Sequence, residues 1–309
     1  MIAVERWDTV FALGSVDPTD TTLVSPSEIE VWNDQIAVLE GLARRIQSFD
    51  ARTGRRRWSY GREGRGPGEL AQPFNMWIDE SDNLRVWDDR NRKQLVLDQR
   101  GEFFEEIYYR ELWGLSTSPT GFGQRMVWTQ LQPGRPAMIT DIESHELVDS
   151  VTVEWPVPPS VDFKPELLTK TAASPSAWAA GLYSGPFFAV GTPVGVKVHP
   201  LIEPIPYTRA PGAWFATDPR ADSSYYGARD IAIADSRVFI LSGGRPKRAA
   251  HASQPTTMID VYSLDGEYLH SYRLPFDGAA LATRDGRTFY VATLVQGSYP
   301  HIFGLRPAD

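Results

Sequence analysis

An internal repeat of 48 residues is the feature of this 309-residue chain that most restricts how it can fold. Residues 29–54 align with residues 77–102 without a gap. Apolar and charged positions coincide between the two copies: Ile36 with Leu84, Val38 with Val86, Glu40 with Asp88, Arg44 with Arg92, and Phe49 with Leu97. Repeats of 40–50 residues are typical of folds that use one small supersecondary unit several times. We therefore expect repeated sheets rather than one continuous sheet.

Each copy is predicted to contain four short strands, because apolar and polar residues alternate between groups of turn residues. The strands predicted in the first copy are Glu28–Trp32, Gln35–Glu40, Arg45–Asp50 and Arg56–Tyr60. Those predicted in the second are Phe74–Asp79, Leu84–Asp88, Lys93–Asp98 and Phe103–Tyr109. A four-stranded unit of this length is a propeller blade.

Fainter copies extend the pattern, so we predict an all-β, six-bladed β-propeller that occupies residues 1–309 as one domain. The expected blades are 25–60, 73–109, 111–153, 177–217, 228–273 and 279–306. The last blade lacks a fourth strand, which we expect residues 4–13 to supply, because such closure leaves no long exposed edge. In the third blade the innermost strand is predicted at Trp113–Thr117. In the proline-rich part we predict a loop at 155–176 and then strands near 177–183, 186–191, 194–199 and 212–217.

Composition narrows the range of partners. The net charge of −8 favours solubility and argues against nucleic acid, which binds positive surfaces. The chain contains no cysteine, so disulfides and thiolate chemistry are absent. Residues 171–196 carry no charge, but prolines and glycines interrupt them, and short buried strands explain this stretch better than a membrane span.

The stretch GREGRGPGELAQP, residues 61–73, raises the possibility of a phosphate-binding loop. A Walker loop requires a lysine after its second glycine, and Pro67 follows Gly66 here. A dinucleotide-binding loop must open a helix, whereas the residues from Pro73 onward have the pattern of a strand. We therefore predict that this stretch connects two blades, with glycines that permit tight turns.

This glycine-rich stretch, followed by NLRVWDDRNRKQLVLDQRGEF, resembles the NHL repeat of six-bladed β-propellers. The layout is also similar to bacterial TolB-like propellers. The likeness covers residues 25–110, with echoes at 228–306. Families of this kind include binding scaffolds, lyases and lactonases, so the resemblance implies the fold but not the activity. Because lactonase-like propellers hold calcium at the channel, it also implies a divalent ion such as calcium as a candidate cofactor.

A binding site is expected at the mouth of the central channel. In a four-stranded blade, the loop between strands 2 and 3 and the loop that leaves strand 4 lie on one face. Long loops on a rigid scaffold are where binding usually occurs. The loops predicted on this face are 61–73, 88–92, 155–176, 218–227 and 242–256. The candidate ligand-binding residues are Asn75, Asp88, Arg90, Trp113, Arg229 and His251.

Each candidate also has a purely structural interpretation. Asp88 can stabilise its own turn by accepting backbone N–H groups. Arg229 can form an ion pair, Trp113 can pack between blades, and Asn75 can face water in the channel. A single histidine such as His251 is usually a surface residue. No catalytic set and no metal-ligand set is recognisable in the sequence.

Three functions are compatible with these features. We favour a scaffold that binds a small molecule or a protein at the channel mouth. The alternative is a metal-dependent hydrolase or lyase with an ion in the channel, so whether the protein is an enzyme stays open. RNA binding ranks third, because the predicted blade divides the arginines of residues 44–65 between two faces.

Oligomeric state and compartment complete the expectations. We expect a monomer without a membrane span. No signal peptide follows Met1, which fits an intracellular protein or a mature domain that has lost its leader. We favour the second, with a secreted or periplasmic location.

Overall fold

The computed structural model describes residues 3–4, 6–15, 22–109, 119–129, 136–156, 169–182, 186–202, 227–242, 257–293 and 300–308. Within these ranges the chain forms strands and turns and no helix. The strands of the first half are β1 (Ala3–Val4), β2 (Trp7–Leu13), β3 (Pro26–Trp32), β4 (Gln35–Glu40), β5 (Arg45–Asp50), β6 (Arg56–Tyr60), β7 (Pro73–Ile78), β8 (Leu84–Asp88), β9 (Lys93–Leu97), β10 (Phe103–Tyr108), β11 (Thr120–Phe122), β12 (Arg125–Trp128), β13 (Pro136–Asp141) and β14 (Leu147–Thr152). Those of the second half are β15 (Thr169–Ser174), β16 (Ala177–Leu182), β17 (Phe187–Thr192), β18 (Gly195–Pro200), β19 (Ala228–Ala234), β20 (Arg237–Ser242), β21 (Met258–Ser263), β22 (Tyr268–Arg273), β23 (Gly278–Ala282), β24 (Phe289–Thr293) and β25 (His301–Pro307).

These strands pair into six sheets, each with four consecutive antiparallel positions. Blades 1 to 5 are β3–β6, β7–β10, β11–β14, β15–β18 and β19–β22, and blade 6 consists of β23, β24, β25 and β2. This is a six-bladed β-propeller, as the repeat predicts. Two compact units can be described separately. The first is Arg6–Gly114 with Gly278–Asp309, and the second is Met1–Glu5 with Leu115–Asp277.

The first unit contains blades 1, 2 and 6. Its second strands are buried on both faces, which their apolar sequences allow: every residue of β4 and β8 is buried. One apolar cluster lies between blades 1 and 2, and another lies between blades 6 and 1. The outer strands β6 and β10 are largely exposed. The core of this unit therefore lies between neighbouring blades rather than inside any one of them.

Closure of blade 6 by the amino-terminal segment is confirmed. Strand β2 pairs antiparallel with β25, from Trp7 opposite Pro307 to Leu13 opposite Ile302. Phe11 enters the cluster between blades 6 and 1, and its ring meets Tyr290 edge-on with 5.8 Å between centroids. The strand that the last blade lacks in sequence is thus supplied from the other end of the chain.

The second unit contains blades 3, 4 and 5, and its apolar clusters lie between blades 3 and 4 and between blades 4 and 5. Gly181 in β16 lies close to Ala228 and Ile231 of β19, where a Cβ would overlap both side chains. Blade 5 has one strand more than the others, because β1 pairs in parallel with β22. The sequence did not predict this fifth strand, which is only two residues long.

Blade 4 begins earlier than the predicted 177–217. Strand β15 at Thr169–Ser174 lies in the predicted loop 155–176 and pairs along its whole length with β16. The segment predicted as the first strand is therefore the second, and β18 is the edge of the sheet. Residues 212–217 lie outside the described residues. The small residues TKTAAS gave no alternation of large apolar side chains, which is why this strand was missed.

The innermost strand of blade 3 also differs from the prediction. The strand that pairs with β12 is β11, Thr120–Phe122, whereas Trp113–Thr117 lies outside the described residues. Only three residues form β11, with a glycine in its centre, so it carries too little pattern to be recognised.

In the described part of the chain, no helix is long and apolar enough to cross a membrane.

If β2 closes blade 6, substitutions at two neighbouring residues of β2 should change the free energy of unfolding by different amounts. Phe11 is 4% exposed and Val10 is 42% exposed. We expect Phe11→Ala to lower the free energy of unfolding by about 3–5 kcal/mol, since it removes a buried ring and leaves a cavity. Val10→Ala is the matched control and should cost less than about 0.5 kcal/mol. Denaturant unfolding checks both, and similar small effects would contradict a packed β2.

Candidate ligand-binding end of the blades

The connections at the two ends of each blade differ in length. At one end, strands 1 and 2 and strands 3 and 4 are joined by short turns, and we call it the turn end. At the other end, which we call the loop-bearing end, strand 2 joins strand 3 and strand 4 leaves for the next blade. Counted between the strand bounds, the connections of twelve residues or more at this end are 14–25, 61–72, 153–168, 201–227 and 243–257. Long connections thus collect at the end where the sequence predicts binding.

Glu40, the last residue of β4, is a fully buried carboxylate at the loop-bearing end of blade 1. It accepts backbone N–H groups from Val24 and Ser25, which precede β3. It also accepts from the side chains of Arg45 (Nε, 2.7 Å) and Gln47 (Nε2, 2.9 Å). The incoming segment is therefore fastened to the second and third strands of its own blade.

Asp88 repeats this arrangement in blade 2. It too is fully buried at the end of a second strand, and it accepts the N–H groups of Ala71 (2.7 Å) and Gln72 (2.9 Å), which precede β7. Asn91 donates to it through Nδ2 at 2.9 Å. Both carboxylate oxygens are thus occupied by donors of the protein. The geometry corresponds to the turn-stabilising interpretation of Asp88.

Lys93 is the third buried charged group at this end. Its Nζ donates to the carbonyl of Gly66 and to Oε2 of Glu106, both at 2.8 Å. Glu106 also accepts the N–H of Gly68 (3.0 Å) and the hydroxyl of Tyr108 (2.9 Å). Burial alone would raise the pKa of Glu106, but the hydrogen bonds from Lys93, Gly68 and Tyr108 outweigh it and hold the pKa below its ordinary value.

The glycine-rich loop is fixed by these groups, and its amide groups are already used. The N–H groups of Gly64, Gly66 and Gly68 donate to the carbonyl of Leu70 (3.0 Å), to Glu69 (2.8 Å) and to Glu106 (3.0 Å). A phosphate cradle needs such amides free. The loop joins β6 to β7, so the prediction of a blade connection is confirmed.

Individual residues show why this loop needs glycine. Gly68 has a φ of 68°, in the left-handed region that side chains with a Cβ rarely adopt, and its carbonyl accepts the hydroxyl of Tyr60 at 2.7 Å. The N–H of Gly66 and the guanidinium of Arg62 lower the pKa of Glu69. The loop therefore has one defined conformation, in which many of its hydrogen-bonding groups already have partners in the protein.

The exposed side chains at this end of blades 1 and 2 include arginines, aliphatic residues, Glu63 and Tyr108. Three arginines there have acidic partners: Arg44 pairs with Glu63, Arg62 with Glu69, and Arg92 with Asp89. Arg65 and Arg90 are exposed and have no acidic partner within the described residues. Leu42 is 87% exposed in the turn between β4 and β5, and Val24 is half exposed before β3.

The structure describes four of the six predicted site residues, three of them in the first unit and one in the second. Asn75 is buried on the innermost strand β7, Asp88 ends β8, and Arg90 is exposed in the following turn, so these three belong to blade 2. Arg229 is partly buried on β19 in blade 5 of the second unit. Trp113 and His251 lie outside the described residues. Ligand binding by any of the six stays a prediction.

Three of the buried ionisable groups in the described residues, which the sequence did not single out as candidates, are Glu40, Lys93 and Asp260. Glu40 could have been found, because it occupies the same position in the repeat as Asp88. Lys93 has no such signal, since a lysine at the start of a strand is usually exposed. Asp260 on β21 accepts Ser242 and Ser271 hydroxyls at 2.5 Å each.

Burial raises the pKa of Asp260, and the two serine hydroxyls partly oppose this effect. Within the ranges that the structure describes, no group of three or more His, Asp and Glu side chains could hold a metal ion.

Comparison with known proteins supports the fold. Residues 17–111 match the DUF5128 family, described as six-bladed β-propellers. This segment includes blades 1 and 2 and is less than half of the chain. No curated protein sequence matches significantly. The resemblance to six-bladed propellers is confirmed, whereas the narrower NHL-repeat or TolB-like likeness stays a prediction.

Several solved structures share the architecture over nearly the whole chain. A protein from Bacteroides fragilis described as exported has a TM-score of 0.59, with 12% identity over 96% of each chain. A member of the DUF4221 family from Bacteroides vulgatus also has a TM-score of 0.59, with 9% identity over 97% of this chain and 98% of its own. A streptogramin B lyase has a TM-score of 0.54, with 13% identity over 97% and 98%. Identities this low establish the fold alone.

Lys93 should be essential for the stability of blade 2. Lys93→Met leaves Glu106 partly buried without its cation, and we expect the free energy of unfolding to fall by about 3–5 kcal/mol at neutral pH. The matched control is Lys197→Met, because Lys197 pairs with Asp265 at 3.7 Å where both side chains are exposed. That change should cost at most about 1 kcal/mol.

The same variant should change the acid sensitivity of the protein. The folded state lowers the pKa of Glu106 from its model-compound value of 4.5, so its contribution is complete above that pH and is lost as the pH falls through the folded-state pKa. The free energy of unfolding, measured at several pH values across this range, should decrease less steeply with falling pH in Lys93→Met than in the wild type. An unchanged slope would mean that Lys93 is not what lowers the pKa of Glu106.

Proposed function

We propose that the protein is a binding scaffold that recognises a small molecule or a protein partner at the loop-bearing end of its blades. The observation that carries the proposal is the use of fully buried Glu40, Asp88 and Lys93 to fix the connections at this end. A surface that is already ordered loses less conformational entropy on binding. The connection 61–72, which is held in this way, is suited to recognition.

The roles of these buried groups support binding rather than catalysis in blades 1 and 2. Glu40 and Asp88 are surrounded by backbone and side-chain donors, so neither carboxylate is placed to take a proton from a substrate. The side chains that reach solvent include arginines and aliphatic residues, which recognise ligands without reacting with them. Two further exposed groups already have partners, since Glu63 pairs with Arg44 and the hydroxyl of Tyr108 donates to Glu106. We also propose that the protein is related to the NHL-repeat or TolB-like propellers and that, among the functions found in such families, it acts as a binding scaffold.

A unique cysteine can test which end binds, because the natural chain has none. Leu42→Cys places a thiol at the loop-bearing end of blade 1, and Arg52→Cys places one in the turn between β5 and β6, at the turn end. Each variant is labelled with a benzophenone maleimide and irradiated in an extract of the source cells. We expect specific adducts from the label at Leu42→Cys and none from the label at Arg52→Cys.

Equal adducts from both positions, or adducts from Arg52→Cys alone, would contradict binding at the loop-bearing end. Equal melting temperatures of the two labelled proteins must accompany the comparison. Both positions are exposed, so a difference in folding is not expected.

The alternative, a metal-dependent hydrolase or lyase, differs from the binding scaffold in the effect that metal ions and chelators should have on the melting temperature. A channel ion that binds only the folded protein would raise the melting temperature, and a chelator would lower it. If the protein is a binding scaffold, calcium, zinc and EDTA should each leave the melting temperature unchanged to within about 1 °C. A chelator-dependent drop, with metal found by elemental analysis, would favour the alternative.

A further inference from the structure

The glycine-rich loop and the turns after β4 and β8, at the loop-bearing end of blades 1 and 2, contain five arginines and three acidic residues. This is an excess of two positive charges in a chain whose net charge is −8. We call these three segments the basic surface, and their charged members are Arg44, Glu63, Arg62, Glu69, Arg92, Asp89, Arg65 and Arg90. The first six form three ion pairs. Arg65 and Arg90 are therefore the two cations left over among the described residues of this surface.

Arg65 and Arg90 extend from backbone segments that are fastened to each other. Asn91 donates through Nδ2 to the carbonyl of Gly64 at 3.1 Å, and this bond joins the turn after β8 to the glycine-rich loop. Arg65 follows Gly64 in the chain, and Arg90 precedes Asn91. The backbones of both arginines thus lie next to one hydrogen bond that joins the two segments. From there the two flexible side chains can reach the same anionic group or two adjacent ones.

Two exposed aliphatic side chains belong to the same end. The ion pair of Arg44 with Glu63 joins the turn that carries Leu42 to the glycine-rich loop. Val24 is held by the bond from its N–H to Glu40. Leu42 and Val24 are among the exposed large apolar residues of the described chain. Apolar positions beside arginines are the composition of a protein-binding surface.

We propose that the basic surface docks an acidic segment of a partner protein, with carboxylates on Arg65 and Arg90 and an aliphatic side chain on Leu42 and Val24. The inference rests on the proposed binding function and specifies its partner. Guanidinium groups bind carboxylates in a bidentate manner, and two of them on a rigid backbone give both affinity and orientation.

A nucleic-acid partner fits the surface less well. Single-stranded nucleic acid requires a continuous positive track with aromatic side chains for base stacking. Three of the five arginines are already neutralised. The exposed rings of Phe103 and Phe104 lie at the start of β10, beside the turn end, and the exposed ring at the loop-bearing end of β10 is the single Tyr108, which is bonded to Glu106.

The test uses a fluorescein-labelled peptide of Glu-Glu-Leu repeats as the probe, with a labelled oligothymidylate for comparison. We expect the peptide to bind the wild type at an ionic strength of about 0.1 M, where the Debye length is about 10 Å. The double variant Arg65→Glu/Arg90→Glu should weaken its binding at least about tenfold, because two attractive contacts become repulsive. Leu42→Ser should weaken it about threefold, through loss of apolar contact.

The matched control is Arg52→Glu/Arg55→Glu, which changes the net charge equally with exposed residues at the turn end of blade 1. Its effect on the peptide should stay within about twofold, since charges beyond a Debye length are screened. Failure of the peptide to bind the wild type, or equal losses in the two double variants, would overturn the inference. So would binding of the oligothymidylate in place of the peptide.

Failure of the acidic-partner proposal can be distinguished from failure of the binding-scaffold proposal. If the label at Leu42→Cys forms adducts that persist when Arg65 and Arg90 are changed to glutamate, the scaffold is supported and the acidic partner is excluded. If the label at Arg52→Cys forms the adducts instead, the proposed function itself fails. Melting temperatures of all variants should match the wild type, since neither arginine side chain has a structural partner in the described chain.

Discussion

A buried carboxylate at the end of a second strand is the interaction on which the loop-bearing end of blades 1 and 2 depends. The chain must cross from the outside of one blade to the innermost strand of the next, and the backbone N–H groups at the end of this crossing are buried. Glu40 and Asp88 each accept two of them. The bonds offset the cost of burying the charge, and they also set where the next blade begins.

Fixing the crossing in this way has a consequence for function. In the glycine-rich loop, the amides that could have received a phosphate are bonded to Glu69, Glu106 and a carbonyl, so they are closed to an anionic ligand. The side chains exposed around the loop are arginines and aliphatic residues together with Glu63 and Tyr108. The arrangement that stabilises the fold therefore leaves side chains, rather than these backbone amides, as the groups open to solvent.

The sequence predicted those parts of the structure in which burial leaves a strong pattern. Strands β4 and β8 are covered on both faces, so most of their residues are apolar, and blades 1 and 2 were predicted to within a few residues. Strands β11 and β15 were missed because one is three residues long and the other is made of small residues. In the candidate site, the position of Asp88 was predicted, but burial of Lys93 depends on the loop folding over it.

Blade 5 shows why the repeat could not reveal every buried acid. In blade 1 the acid is Glu40 on the second strand, and its partner is Gln47 on the third. In blade 5 the second strand ends with Ser242, and the acid is Asp260 on the third, which accepts the serine hydroxyl. The residues occupy equivalent positions, since Glu40 lies opposite Arg45 and Ser242 lies opposite Met258. Acid and partner have exchanged strands, so the carboxylate remains between the same two strands while the sequence match disappears.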